Sequence, residues 1–404
     1  VKLQLGLFVI LVGFSLGLGF LIRDRLSKRT HATLVMAKNM VELPFENYGG
    51  HLYVKGKVNG LSTQDLIVDN GATDLFMGES QAKKLKLVPS SSETASAAKP
   101  PNVLWALGAL TLKDRHSAVL SQSDIDGLER YFGRRVSGII GYELFEQLVV
   151  ELDFQRHLFK FHRPKTYQYS GNGLRIPLII EGDRAYIKTT ITPYGYPAKP
   201  GKLMIDLGSN AALHLAADCG LSQQLIKAVP HTLHRKLATI RGTDEIVLGR
   251  VQQVQIEALQ IQQPITIFSQ TQTNDCDLLQ GKIGYQILRQ FKVILDYPRR
   301  QLILEPTQAA KSPVYDYDLS GLWLEAIGTQ LNRYKVGAIT KNTPATRAGV
   351  KVGDEVKKIG NISASKLTLV QVRQALSQVN QTVNLELVRN AKPLTISLQL
   401  KPLI

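Results

Sequence analysis

Residues 66–71 read LIVDNG, and residues 203–208 read LMIDLG. In each, an apolar strand runs into an aspartate, one residue intervenes, and a glycine follows. A tight turn after a strand calls for glycine where φ becomes positive or where backbones approach closely. One such turn is ordinary, because an Asp side chain readily bonds the backbone two residues on. Two of them, at Asp69 and Asp206, ask whether the chain repeats itself.

Two further landmarks answer that. GIIGYELF at 138–145 is matched by GKIGYQIL at 281–288, and VELDF at 150–154 by VILDY at 293–297. Three matches in one order mark an internal duplication. Around them lie alternating stretches such as HLYVKGKV at 51–58, which ends in Asn59-Gly60, and AYIKTTI at 185–191. Short alternating strands with frequent turns predict β-sandwich or barrel-like lobes, here 43–168 and 169–308. PGK at 200–202 predicts the turn before the second Asp-x-Gly. Residues 24–42 are polar and mixed, which predicts a tether.

A pseudo-twofold axis relating the lobes brings Asp69 and Asp206 face to face. Two carboxylates about 3 Å apart share one proton, because both cannot ionise. The ionised one takes a proton from water and the protonated one polarises a peptide carbonyl, which is general acid–base hydrolysis without a metal or cofactor. Asp153 and Asp296 are also duplicated, but each ends a strand before a hairpin turn, where a structural role is expected.

On these residues each copy resembles a retropepsin-like aspartic protease unit: IVDNGAT at 67–73 with Ile139-Ile140-Gly141, and MIDLGS at 204–209 with Lys282-Ile283-Gly284. The resemblance covers roughly 43–306. It implies a mainly β, two-lobed acid-protease-like fold, a catalytic dyad of Asp69 and Asp206, and turns supported by Gly71, Gly208, Gly141 and Gly284. It also implies flaps around Thr94–Ala106 and Ala238–Val251. The family has Thr or Ser after each catalytic Asp, whose hydroxyl locks the two turns together. This chain has Asn70, which still hydrogen-bonds, and Leu207, which does not. Ser209 is positioned to bond the outer oxygen of Asp206. The departures leave two readings, an active endopeptidase and a decayed peptide-binding scaffold.

From Ser312 the character changes. YKVGAITKNTPATRAGVKVGDEVKKIG at 334–360 resembles a bacterial PDZ domain, an α+β unit over 312–404. The resemblance implies a carboxylate-holding loop at Ser320, Gly321, Leu322, Trp323 and Leu324, with a partner's C-terminal peptide added as an extra strand. Helical spacing at 367–379 predicts the other groove wall.

The chain has 404 residues and a formal charge of +16. Its Lys and Arg are scattered without aromatic interleaving, which argues for solvation and membrane proximity over nucleic acid. Leu3–Ile22 is apolar over a length that spans the ~30 Å hydrocarbon core and predicts a retained transmembrane helix within 1–23. Arg23, Arg25, Lys28 and Arg29 follow it. They favour a cytoplasmic body, yet long domains translocate despite such charges. An extracytoplasmic, periplasmic body is the expectation, with the other side open. Cys219 and Cys276 have no metal-ligand spacing; both a disulfide and two buried thiols stay open. No Gly-x-Ser-x-Gly setting supports a serine hydrolase.

Overall fold

The computed structural model describes residues 32–88, 102–114, 117–218, 221–239, 242–273, 279–311 and 314–404. The expected membrane anchor at 1–23, the N-terminal half of the tether, Cys219 and Cys276 lie outside the described residues. Among the described residues, no helix is long and apolar enough to cross a membrane.

The strand that leads into each aspartate is built the same way twice. In lobe 1, Gln64–Val68 pairs antiparallel with His51–Val58 and parallel with Gly138–Ile140. Gly138–Ile140 then pairs antiparallel with Phe76–Gly78. In lobe 2, Lys199–Ile205 pairs antiparallel with Arg184–Thr192 and parallel with Leu279–Ile283, which pairs antiparallel with Leu213–Asp218. The apolar segment ending in Gly141 or Gly284 therefore threads between the strand entering the turn and the strand leaving it.

The other duplicated landmark joins the lobes. Val149–Asp153 pairs antiparallel with Phe291–Asp296, from Val149 opposite Asp296 to Leu152 opposite Val293. Their hairpin partners, Leu158–His162 and Gln301–Pro306, extend this sheet, and Met40–Tyr48 and Leu174–Pro177 complete it. One apolar core, with Phe145, Phe159, Phe268 and Phe291 among its largest members, runs through both lobes. The two turns are thus fixed by shared backbone pairing and shared burial, the non-directional term that dominates folding.

Three expectations are corrected. Thr33–Met36 and Met40–Tyr48 are strands of lobe 1, so the tether ends by residue 32; Ala32, Met36, Val41 and Leu43 are buried in its core. Pro200 and Gly201 lie within a strand, paired to Thr190 and Thr189, and the turn sits at 193–198. The first flap segment divides: 94–101 lies outside the described residues, while Val103–Leu107 is body sheet, with Trp105 fully buried and its Nε1–H donated to Ser117 at 2.9 Å. The second flap segment does form a hairpin, Leu233–Thr239 with Gly242–Arg250.

The C-terminal unit has its own core around Leu324, Tyr334, Val336, Leu369 and Leu387. Its strand order begins at the edge with Leu322–Ile327, followed by Arg333–Ile339 and Glu355–Ile359. The helix expected over 367–379 is shorter, Leu369–Ala375; Thr368 sets its start by a reciprocal cap with Gln371, and its C-cap is Leu376.

Candidate active site

The two Asp-x-Gly turns meet. The two carboxyls flank one point: a Cβ placed on Gly71 would stand 3.0 Å from Asp206 Oδ1 and 3.1 Å from Asp69 Oδ1. Each keeps one oxygen for its own turn: Gly71 N–H donates to Asp69 Oδ1 at 2.8 Å, and Gly208 N–H to Asp206 Oδ1 at 2.9 Å. The threaded segments hold both turns alike. Asp69 N–H donates to Ile140 O and Asp206 N–H to Ile283 O, each at 2.9 Å. Tyr142 N–H donates to Ala72 O and Tyr285 N–H to Ser209 O, at 2.9 and 2.8 Å.

Space explains the glycines. A Cβ on Gly208 would stand 2.2 Å from the Asp69 carboxyl, and one on Gly71 would stand 3.0 Å from Asp206 Oδ1. A Cβ on Gly141 would lie 2.3 Å from Asp74 O, and one on Gly284 2.6 Å from Ser209 O. The contacts at Gly208, Gly141 and Gly284 leave no room for a side chain, and that at Gly71 could be met only by a shift of the carboxyls; Gly141 and Gly284 let the threaded segments lie against the turns.

The lock between the turns is made from one side. Asn70 Oδ1 accepts Leu207 N–H at 2.7 Å, and Asn70 Nδ2 donates to Ile205 O at 2.8 Å and to the Tyr297 hydroxyl at 2.9 Å. An amide carries both a donor and an acceptor, so one Asn serves the peptide groups on both sides of Asp206. Leu207 packs into the core instead. As expected, Leu207 adds no side-chain bond to the lock, which rests on Asn70. The sequence reading missed Tyr297, whose counterpart in lobe 1 is Phe154. Asp153 and Asp296 are structural as expected: Asp153 accepts the N–H groups of Gln155 and Arg156, and Asp296 accepts from Arg299.

Ser209 does not play the part expected of it. Its hydroxyl accepts Ala211 N–H at 3.4 Å, and the partner of the second oxygen of Asp206 is Lys282, with Nζ 2.7 Å from Oδ2. Both side chains of this ion pair are 6% exposed. Lys282 belongs to the Lys-Ile-Gly segment, yet its contact with Asp206 was not anticipated.

Burial and the adjacent Asp206 carboxylate push Asp69 up to about 7. Burial, with the nearby Arg373 cation, pulls His51 down to about 4, and burial pulls His214 down to about 3. At neutral pH both imidazoles are neutral, and the Asp206–Lys282 ion pair stands beside the raised Asp69 carboxyl.

The hairpin tip at Asn47, Gly49 and Gly50 and the turn at Asn210–Ala212 border a cavity of about 580 Å³, closed from the other side by Leu322, Trp323, Leu324 and Arg373. The loop of that C-terminal unit is already filled. Asp318 Oδ2 accepts Gly321 N–H at 2.7 Å, Asp318 Oδ1 accepts Ser320 N–H at 3.2 Å, and Ser320 Oγ accepts Leu322 N–H at 3.0 Å. The amides expected to hold a partner's carboxylate thus hold internal oxygens. Gly321 has φ +81, and a Cβ there would meet Thr343 Oγ1 at 2.1 Å. Trp323 stacks on Tyr131 of lobe 1, centroids 5.3 Å apart at 17°, and Arg373 donates to Tyr131 O at 2.7 Å. Tyr131 thus covers part of the groove at Trp323 and Arg373, while Leu322, Val370, Gln374 and Gln378 still line the open cavity.

Residues 325–400 match the family model described as PDZ domain. The match begins within the strand Leu322–Ile327, and the core of the unit also takes in Leu319, Leu322 and Leu324. No curated protein matches the chain. Among solved structures, the aspartic proteinase from Irpex lacteus aligns over 68% of this chain and 99% of its own, at 13% identity and a TM-score of 0.42. The photosystem II D1 C-terminal processing protease aligns over 20% of this chain and 22% of its own, at 21% identity and a TM-score of 0.19.

Proposed function

We propose that this chain is an aspartic endopeptidase whose PDZ domain presents peptide or unfolded-protein substrates to the Asp69/Asp206 dyad. The observation that carries this is the pair of adjacent buried carboxyls on two duplicated turns, locked together by Asn70. Asp206, held by Lys282, is the carboxylate; Asp69 carries the shared proton. A water between them attacks the peptide carbon, its proton passing to Asp206 while Asp69 protonates the carbonyl oxygen. The gem-diol then collapses. The C–N bond breaks, the leaving nitrogen takes the proton from Asp206, and Asp69 regains its own from the diol hydroxyl. With Asp69 near 7, the proton donor is present up to about neutral pH, so activity falls as pH rises through 7 and beyond. A membrane tether through residues 3–22, with the body extracytoplasmic, fits the same role.

A second reading, a peptide-binding scaffold, is favoured by the burial of the dyad, with Asp69 2% and Asp206 4% exposed. One binding experiment separates the two. A peptide library is compared with the same library in which one central amide is replaced by a secondary alcohol, which mimics the tetrahedral diol. An endopeptidase binds the best alcohol about 10²-fold or more tighter than its parent amide, since transition-state mimics gain where catalysis does. Asp206→Asn removes that gain. Equal affinity of amide and alcohol supports the scaffold.

A further inference from the structure

The duplication supplies its own control for Lys282. In lobe 1, Ile139 lies opposite Phe76 across the antiparallel pair; in lobe 2, Lys282 lies opposite His214 at the matching place. Both lobe 1 residues are buried and apolar, so the fold is satisfied by an apolar pair there. Lobe 2 carries two basic residues, equally buried, at the same two places. A buried ion pair is a poor source of stability, because desolvation offsets its attraction, and apolar replacements are often as stable or better. The fold therefore gives no reason for Lys282.

Resting on the dyad reading above, we propose that Lys282 is a positioning residue that fixes the negative charge on Asp206 and so assigns the shared proton to Asp69. A symmetric pair lets either carboxyl hold the proton. Here the cation touches one oxygen of one carboxyl, at 2.7 Å, and lobe 1 offers Asp69 only an isoleucine at the matching position. Lys282 also acts on Asp69, but in contact it holds only Asp206, and Arg184 reaches the lobe 1 turn at the Gly71 backbone carbonyl, 3.4 Å away, not at the carboxyl. His51, on the strand next to the Asp69 strand, and His214, on the strand next to Lys282, are neutral at pH 7 by burial. Tyr297, behind Asn70, stays protonated, since burial pushes its hydroxyl up. Arg373, from the PDZ helix, acts on His51. The asymmetry makes base and acid distinct before substrate arrives.

Two readouts on the full chain test this, one with activity and one without. In the pH profile of kcat/KM, Lys282→Met moves the acidic limb, where the dyad takes up its second proton, to higher pH by about one unit or more, because removing a cation disfavours carboxylates. Lys282→Arg keeps the limb near its wild-type place. A fall in kcat/KM at every pH with both limbs unmoved would show a structural lysine and overturn the proposal. In thermal melts at pH 7, Asp206→Asn lowers Tm by several degrees by stranding the cation. Adding Lys282→Met to Asp206→Asn recovers at least half of that loss, whereas adding it to Asp69→Asn, where the Asp206 carboxylate remains, lowers Tm. Additive losses in the first pair, or a gain in both, would overturn it. If wild type cleaves no peptide, the endopeptidase reading fails while the melts still decide the assignment of charge.

Discussion

Asp69→Asn will stabilise the protein increasingly as pH rises from about 4 to about 7, with no further gain above. The native chain keeps the Asp69 proton up to about 7, while the unfolded chain releases it near the ordinary carboxylate value. Between those values the native state binds more protons, so wild-type stability from this group is full below the unfolded pKa and is lost as pH climbs through 7. Asparagine holds the place of the protonated acid without ionising: its oxygen still accepts Gly71 N–H and its nitrogen still donates toward Asp206. Each pH unit in this window is worth about 1.4 kcal/mol, so the variant gains on the order of 3 kcal/mol over wild type by pH 7. Melting curves of both proteins from pH 4 to 8 read this as a widening Tm gap. A constant gap would mean that Asp69 is ionised in the folded protein like any surface carboxylate.

The buried histidines act in the opposite sense. His51 and His214 are neutral when folded, and the unfolded chain takes up protons at both below about pH 6.5, so their contribution is lost as pH falls toward 4 and 3. Their presence beside the dyad argues for a working range nearer neutrality than strong acid.

The second large effect is at Asn70. Asn70→Ala leaves three buried groups without their partner: Leu207 N–H, Ile205 O and the Tyr297 hydroxyl. An unsatisfied buried polar group costs about 1–3 kcal/mol, so the lobes lose roughly 3–5 kcal/mol together, read by denaturant unfolding. Catalysis suffers as well, since a displacement of ~1 Å at the reacting groups costs about 10²-fold. Asn70→Asp separates the two functions of the amide. It keeps an acceptor for Leu207 N–H but turns a carboxylate oxygen toward Ile205 O, so it should be no better than alanine. If both variants fold and cleave as wild type does, the turns are held by the shared sheet alone.

Much of this was legible in the chain because a duplication writes the same constraint twice. The glycines at 71, 141, 208 and 284 and the aspartates at 69 and 206 recur at matching places, and the structure brings all six together. What escaped is instructive in the same terms. Lys282, Tyr297 and His214 stand where the first copy has Ile139, Phe154 and Phe76, and each adds a polar group to a place that lobe 1 fills with carbon. A difference in polarity between copies was the available signal; the aim of each side chain was not, since it depends on strand register and on which neighbour leaves room. Asn70 was legible as a hydrogen-bonding residue, but its reach across to Leu207 and Ile205 follows only from how closely the turns approach. At the PDZ domain, the segment expected as a loop at 320–324 passes into the strand Leu322–Ile327. Its occupation by Asp318 is a local Asx-type turn that the Asp-Leu-Ser-Gly stretch at 318–321 could have signalled, whereas the Trp323–Tyr131 stack is a contact formed by docking, which no local pattern encodes.

The central claim is that two turns share one catalytic proton. The most direct test is incubation of the full chain with a mixed library of unfolded peptides over pH 4–9, read by mass spectrometry, alongside Asp69→Asn and Asp206→Asn. The account predicts cuts that decline as pH rises past about 7 and that both substitutions abolish. Cuts that survive either substitution, or folded wild-type protein that cuts nothing at any pH, would contradict it.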